Sequence, residues 1–137
     1  SDLELSTDEA GFIALHLVNA EMEEEVGNIY ELTKLMQEIT NIVKYYFKVS
    51  FDEDSVYFYR FSTHLKFFCY RLLHQREVVE NDDEELYAVI KKKYLNAYRC
   101  VEKISLYLNE NYDYQVSNEE RLYLTIHIAR IVQTTEQ

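Results

Sequence analysis

The sequence predicts an all-α fold, and three observations carry that prediction. The 137 residues include no proline and only two glycines, and a strand-and-turn architecture cannot be assembled without turn formers. Apolar residues recur at spacings of three and four along most of the chain, the period of a helix face rather than of a strand. Helix-start signals stand where those runs begin, above all the two Ser-x-x-Glu boxes of Ser6 with Glu9 and of Ser117 with Glu120.

Taken in order, the first helix is expected over residues 6 to 22. Ser6 caps it, and Phe12, Ile13, Leu17 and Ala20 line one face beside His16. Glu23, Glu24 and Glu25 oppose the dipole of its C-terminus, and with Gly27 they mark its end. A second helix runs from about Asn28 to Lys48 on Ile29, Leu32, Leu35, Met36, Ile39, Ile42, Val43 and Tyr46. The segment from Ser50 to Asp54 breaks it and supplies acids to the next N-terminus.

The third helix, from about Asp54 to His74, would be ~30 Å long at the usual rise per residue. Glu77 to Glu85 reads as an acidic, solvated connector. Next comes a helical stretch from about Glu84 to Tyr94, with Lys91, Lys92 and Lys93 on its wet side. It either runs on or breaks into a helix carrying Ala97, Tyr98, Val101, Ile104, Leu108 and Tyr112. Asn111 to Gln115 forms a turn, and the second Ser-x-x-Glu box then opens the last helix.

That last segment repeats the first. Ser6, Glu9 and His16 recur as Ser117, Glu120 and His127 at an offset of 111 residues, and Leu5 before the first cap is matched by Val116. Similarity at such a period points to a duplicated module of about that length. The chain then holds the final helix of one module, residues 1–26, and the whole of the next, residues 27–137. It begins Ser-Asp-Leu rather than Met and reads as a piece of something longer.

Composition limits what the chain does. A net charge of −11 makes it a poor binder of a phosphate backbone. Thirteen tyrosines and no tryptophan suit helix faces that are apolar in body and wet at the tip. Cys69 and Cys100 stand in no CxxC or metal-ligand spacing and read as buried thiols in a reducing compartment. No run approaches a membrane span of ~18 apolar residues, and no signal peptide is visible. Glu-x-x-His pairs, an HExxH motif and a Gly-rich phosphate loop are all missing, so neither a metal, a cofactor nor an enzymatic activity is expected.

The histidines are the residues that composition leaves unexplained. On a helical wheel His64 shares a stripe with Tyr57, Arg60, Phe68 and Arg71. An imidazole between two guanidinium groups suits a ring that receives an anion, because arginine forks match phosphate oxygens. On this stretch alone the plainer reading, a core-edge histidine beside two solvated arginines, fits better. Glu120 lies two turns before His127, ~10 Å along the axis, and is therefore a cap rather than a partner of that ring. Caps and cores explain themselves structurally. A histidine does not, being neither a strong helix former nor a favoured core residue. His74, at a helix end beside Gln75 and Arg76, reads as compensation of the C-terminal dipole.

DEAGFIALHLVNAE at 8–21, RFSTHLKFFCYRL at 60–72 and EERLYLTIHIARIV at 119–132 together resemble the PTS regulation domains (PRDs) of the BglG/SacY/LicT transcriptional antiterminators, LicT-like members above all. The resemblance covers nearly the whole chain. It implies a five-helix bundle that forms homodimers, preceded here by the last helix of a first PRD. It also implies a cytoplasmic, non-enzymatic bacterial regulator of carbohydrate utilisation, whose RNA would be bound by a separate N-terminal domain. His64 and His127 match the two phosphoryl acceptors of the second domain, and His16 matches the second acceptor of the first. The implied donors are HPr and the sugar-specific enzyme II of the phosphotransferase system. Arg60, Arg71 and Arg130 are the cations placed to answer the added charge. One departure stands out, because Asn19 follows His16 by three residues where Arg130 follows His127. Two other readings fit the same residues: a PRD borne by a DNA-binding activator, and a helical dimerisation module with incidental histidines.

Overall fold

A computed structural model describes residues 27–74 and 83–136. Their regular structure is five helices, with no strand among the described residues: α1 (27–47), α2 (Val56–Leu73), α3 (Glu84–Lys93), α4 (Leu95–Tyr112) and α5 (Asn118–Glu136). The expected first helix, with Ser6, Glu9 and His16, lies outside the described residues. The chain divides into two compact units, Ser1–Lys34 and Leu35–Gln137. Of the first, residues 27–34 are described, as helix. The second holds α1 from Leu35 onward and all of α2 to α5. Gly27, expected to end the preceding helix, is itself helical.

The helix ends have local causes, and several differ from expectation. α1 stops at Lys48, which takes a left-handed φ of 54°. The Val49 N–H then reaches back to the Lys44 carbonyl at 3.1 Å, a bond of the kind that closes a helix end. Asp113, at φ 51°, turns the chain after α4 in the same left-handed way. Short polar side chains tolerate this region better than most. Lys48 and Asp113 thus take the left-handed conformation that glycine commonly supplies at a helix end.

The start of α2 corrects the sequence reading. Its N-cap is Ser55, whose hydroxyl accepts from the Phe58 N–H at 3.1 Å, and no acid stands in its first turn. Asp52 instead folds the approach, accepting from the Asp54 N–H. The helix expected from about Glu84 starts there, while residues 77–82 of the acidic connector lie outside the described residues. Asp83 caps α3 by accepting from the Leu86 N–H, and Glu84 and Glu85 fill its first turn. Lys91, Lys92 and Lys93 stand in its last turn, so charge follows the helix dipole at both ends. The chain breaks at Tyr94, with φ −122° and ψ 54°, and this separates α3 from α4.

Packing centres on α5, which meets α2, α3 and α4. Leu35, Ile39 and Val43 give α1 a buried stripe at strict four-residue spacing. Phe61, Leu65, Phe68, Cys69 and Leu72 do the same for α2, and Ala97, Val101, Ile104 and Leu108 for α4. Full burial of each such aliphatic or aromatic side chain favours folding by about 1.5–3 kcal/mol. Cys69 and Cys100 are buried free thiols, as expected. Burial pushes both thiols up, Cys100 to about 12 and Cys69 further with Glu38 nearby, so neither is a thiolate at neutral pH.

α3 is the exception, with no buried residue. It is tied to α4 through its polar edge, where the Tyr87 hydroxyl donates to that of Tyr98 at 2.9 Å. A second polar tie joins α1 to α4: the hydroxyls of Tyr107 and Tyr112 both donate to the Glu38 carboxylate.

Candidate functional site

α5 carries two polar features two turns apart. At its N-terminus the capping box forms reciprocally. The Glu120 N–H donates to the Ser117 hydroxyl, and the Ser117 N–H donates to the Glu120 carboxylate, each at 3.1 Å. Tyr114 closes over the same carboxylate, its hydroxyl 2.9 and 2.8 Å from the two oxygens. Burial first, then that carboxylate, pushes the Tyr114 phenol well above its usual range. Glu120 is only 3% exposed. Its carboxylate is engaged within the fold, and it is a structural residue.

The second feature is the pair of histidines. His64, in the middle of α2, and His127, in the middle of α5, stack with ring centroids 4.0 Å apart and planes 25° from parallel. The contact of α2 with α5 brings together rings that are 63 residues apart in the chain. Tyr123, one turn before His127, completes the cluster. Its ring meets His127 edge-on at 4.4 Å and His64 edge-on at 5.3 Å, and its hydroxyl is hydrogen-bonded to His64 Nδ1.

The two imidazoles open onto a cleft of about 320 Å³ with Tyr57, Arg60 and Arg130 on its walls. Both arginines are exposed while both histidine rings are half-buried. A half-dry site with guanidinium groups at its mouth attracts anions and lets them interact more strongly than in bulk water. His127 is held neutral at physiological pH. Burial, then the neighbouring His64 and the Arg130 charge, push its pKa down to about 4. A neutral imidazole keeps a lone pair on one nitrogen and is a competent nucleophile.

The wheel stripe drawn from the sequence divides in two. Tyr57, Arg60 and His64 face the cleft, but Phe68 is fully buried in the core. Arg71 is not among the residues lining the cleft. Its charge acts instead on Tyr114 and Tyr123, and its Nε is buried without a hydrogen-bond partner. His16 lies outside the described residues. His74 caps α2 as expected, its Nδ1 2.9 Å from the Tyr70 carbonyl and its ring stacked on Tyr70 at 4.0 Å. Sequence reasoning does not single out Tyr123. The only signal for it is its place four residues before His127, on the same helix face.

Comparison with known proteins places the chain in a family. Residues 37–131 match the model of the PRD domain. The chain is 52% identical over 128 residues to the transcription antiterminator LicT of Bacillus subtilis, covering 93% of this chain and 46% of that protein. It is 48% identical over 127 residues to the beta-glucoside operon antiterminator of Dickeya chrysanthemi, covering 93% of this chain and 44% of that one. Similarity extends at 28% identity to the GlcA/glcB genes antiterminator of Staphylococcus carnosus, over 99% of this chain and 47% of that one. The chain thus spans about half the length of the curated relatives it matches.

Proposed function

The chain belongs to the PRD domain family, and on that premise we propose that it is the phosphorylation-controlled regulatory part of a transcription antiterminator. In this reading His64 and His127 accept phosphoryl groups from HPr or a sugar-specific enzyme II, and His16 is a further acceptor belonging to the preceding module. Residues 1–26 are then the last helix of a first PRD and residues 27–137 a second PRD. The protein acts in the cytoplasm as a homodimer, and its RNA is bound by a separate N-terminal domain. No helix among the described residues is long and apolar enough to cross a membrane.

The single observation that carries the reading is the stacked pair of histidines on a cleft walled by two arginines. Each phosphoryl group adds about −1.5 to −2 charges at neutral pH. On a chain already at −11 such a charge is repelled unless cations answer it. Arg60 and Arg130 stand on the cleft to do so, and Arg71, whose charge acts on Tyr123, contributes from outside it. A change of that size also disfavours a 4.0 Å contact between two rings. Phosphorylation therefore strains the α2–α5 contact, and the protomers repack in response; that repacking transmits the signal.

The test is phosphoryl transfer. The chain is incubated with phosphoenolpyruvate, enzyme I and HPr, its intact mass is read, and His64→Ala and His127→Ala are run beside it. Acid-labile mass gain in the parent, lost with those substitutions, is the expected result. No gain under conditions where HPr itself is labelled would leave a helical dimerisation module and end this reading. The dimer affinities of His64→Asp, His127→Asp and the parent should differ, and three equal values would remove the repacking step.

A further inference from the structure

We propose that Tyr123 is a positioning residue that holds His64 with its proton on Nδ1 and so directs phosphoryl transfer to Nε2. The proposal deepens the phosphohistidine reading above and rests on it. Three features of the site lead to it. The Tyr123 hydroxyl is hydrogen-bonded to Nδ1 and to no other atom of the ring, so that nitrogen is occupied. His127 stacks on a face of the His64 ring, which leaves the in-plane lone pairs of the nitrogens uncovered. The two nitrogens of an imidazole point in diverging directions, so with Nδ1 taken by Tyr123 the nitrogen left for an incoming phosphorus is Nε2.

A tyrosine hydroxyl suits the task because it both accepts and donates. In the reactive neutral ring Nδ1–H donates to the tyrosine oxygen, and Nε2 keeps its lone pair. That pair attacks the phosphorus of a phosphoryl-imidazole donor. The bond from phosphorus to Nε2 forms as the donor's P–N bond breaks, and the bonding electrons leave with the donor ring. His64 is then cationic at Nδ1. It gives that proton to water, the departing imidazole takes one up, and the tyrosine hydroxyl rotates to donate to the vacated Nδ1 lone pair. The same oxygen therefore satisfies the ring before and after transfer.

Tyr123 is well held for this work. It lies on α5 between the buried Leu124 and the capping region, and its ring rests edge-on against His127. Phenylalanine at this position keeps the ring contacts and removes only the hydroxyl, so folding is not at issue.

The experiment compares the parent chain with Tyr123→Phe in two ways. Long-range proton–nitrogen NMR of the unmodified proteins reads which His64 nitrogen carries the proton. Phosphorylation, once by HPr and once by phosphoramidate, followed by phosphorus–nitrogen NMR, reads which nitrogen carries the phosphoryl group. The expected result is an Nδ1–H tautomer and an Nε2 phospho-isomer in the parent. In Tyr123→Phe the Nε2 to Nδ1 ratio should fall by about three- to tenfold, the effect of losing one hydrogen bond. Phosphorylation of the parent at Nδ1, or identical tautomer and isomer ratios in the two proteins, would overturn the proposal. Should HPr label neither protein, the functional reading fails, while the tautomer spectra and the phosphoramidate isomers still decide the role of Tyr123.

Discussion

Glu120 and His127 sit two turns apart on the same helix, and the fold treats them in opposite ways. The Glu120 carboxylate is buried and takes hydrogen bonds from Tyr114 and from the Ser117 backbone. The His127 ring is half-buried and meets aromatic partners, and its environment disfavours protonation. A polar group whose partners all lie within the fold adds stability and has nothing left to offer a ligand. A group that is stacked and desolvated but open on a cleft adds little stability and retains its chemistry. Internal repetition marks both residues alike, and only the surroundings separate the cap from the site.

The largest test of that contrast is Glu120→Ala. It removes a charged acceptor, strands the Tyr114 hydroxyl and the Ser117 N–H, and undoes the capping box. The unfolding free energy should fall by ~3 kcal/mol in urea titrations. A loss under about 1 kcal/mol would mean that the corner is decoration, and the contrast would collapse from the structural side.

Next in size is the pH dependence set by His127. Its folded pKa is depressed from about 6.5 to about 4, so within that window the unfolded chain binds the extra proton. Stability is therefore free of the effect above about pH 6.5, declines as pH falls through the window, and levels off below it. Measured against His127→Gln, the parent should lose about 1–2 kcal/mol between about pH 7 and pH 4, a figure reduced for the solvent reaching a half-buried ring. Parallel pH–stability curves for the two proteins would show that His127 is not held in the state described.

The smallest effect is expected for His64→Gln, which removes one ring contact and the Tyr123 hydrogen bond of a half-buried side chain and should change stability at neutral pH by about 0.5–1 kcal/mol. If this substitution costs as much as Glu120→Ala, the histidine pair is a core element. The open site would then have to be sought elsewhere.

Much of the architecture was legible because it is local. The Ser117–Glu120 box needs only three residues of spacing, and it forms as expected. The spacing expected for α4 selects residues that are buried, Ala97, Tyr98, Val101, Ile104 and Leu108 among them, while of the α1 set Leu35, Ile39 and Val43 are buried and Ile29 is exposed. The departures are also local and have local causes. A serine rather than the nearby acids caps α2, because its side chain stands at the turn that the first free N–H groups face. Glu84 and Glu85, counted in sequence both with the connector and with the next helix, belong to the helix, where they favour its dipole.

The site was legible only in part. A helical wheel places Arg60 and Arg71 on the side of His64, but rotation about the axis says nothing about height along it. One arginine reaches the cleft, and the other acts on Tyr114 and Tyr123. The Glu38 carboxylate meets Tyr107 and Tyr112 across 69 and 74 residues of chain, and no spacing rule foretells it.

By itself the sequence determined the all-α class, most helix limits, the second capping box, the acidic composition and the histidines as the residues that structure alone does not require. Periodicity and capping act over one or two turns, so a single short segment contains them entirely. The tertiary structure decided which side chains from different helices meet. It stacked His64 on His127, set Tyr123 against Nδ1, and kept Arg71 out of the cleft. Those contacts depend on how far α2 and α5 slide and rotate against each other. Interlocking side chains of the core set that adjustment, a collective property that no single segment encodes.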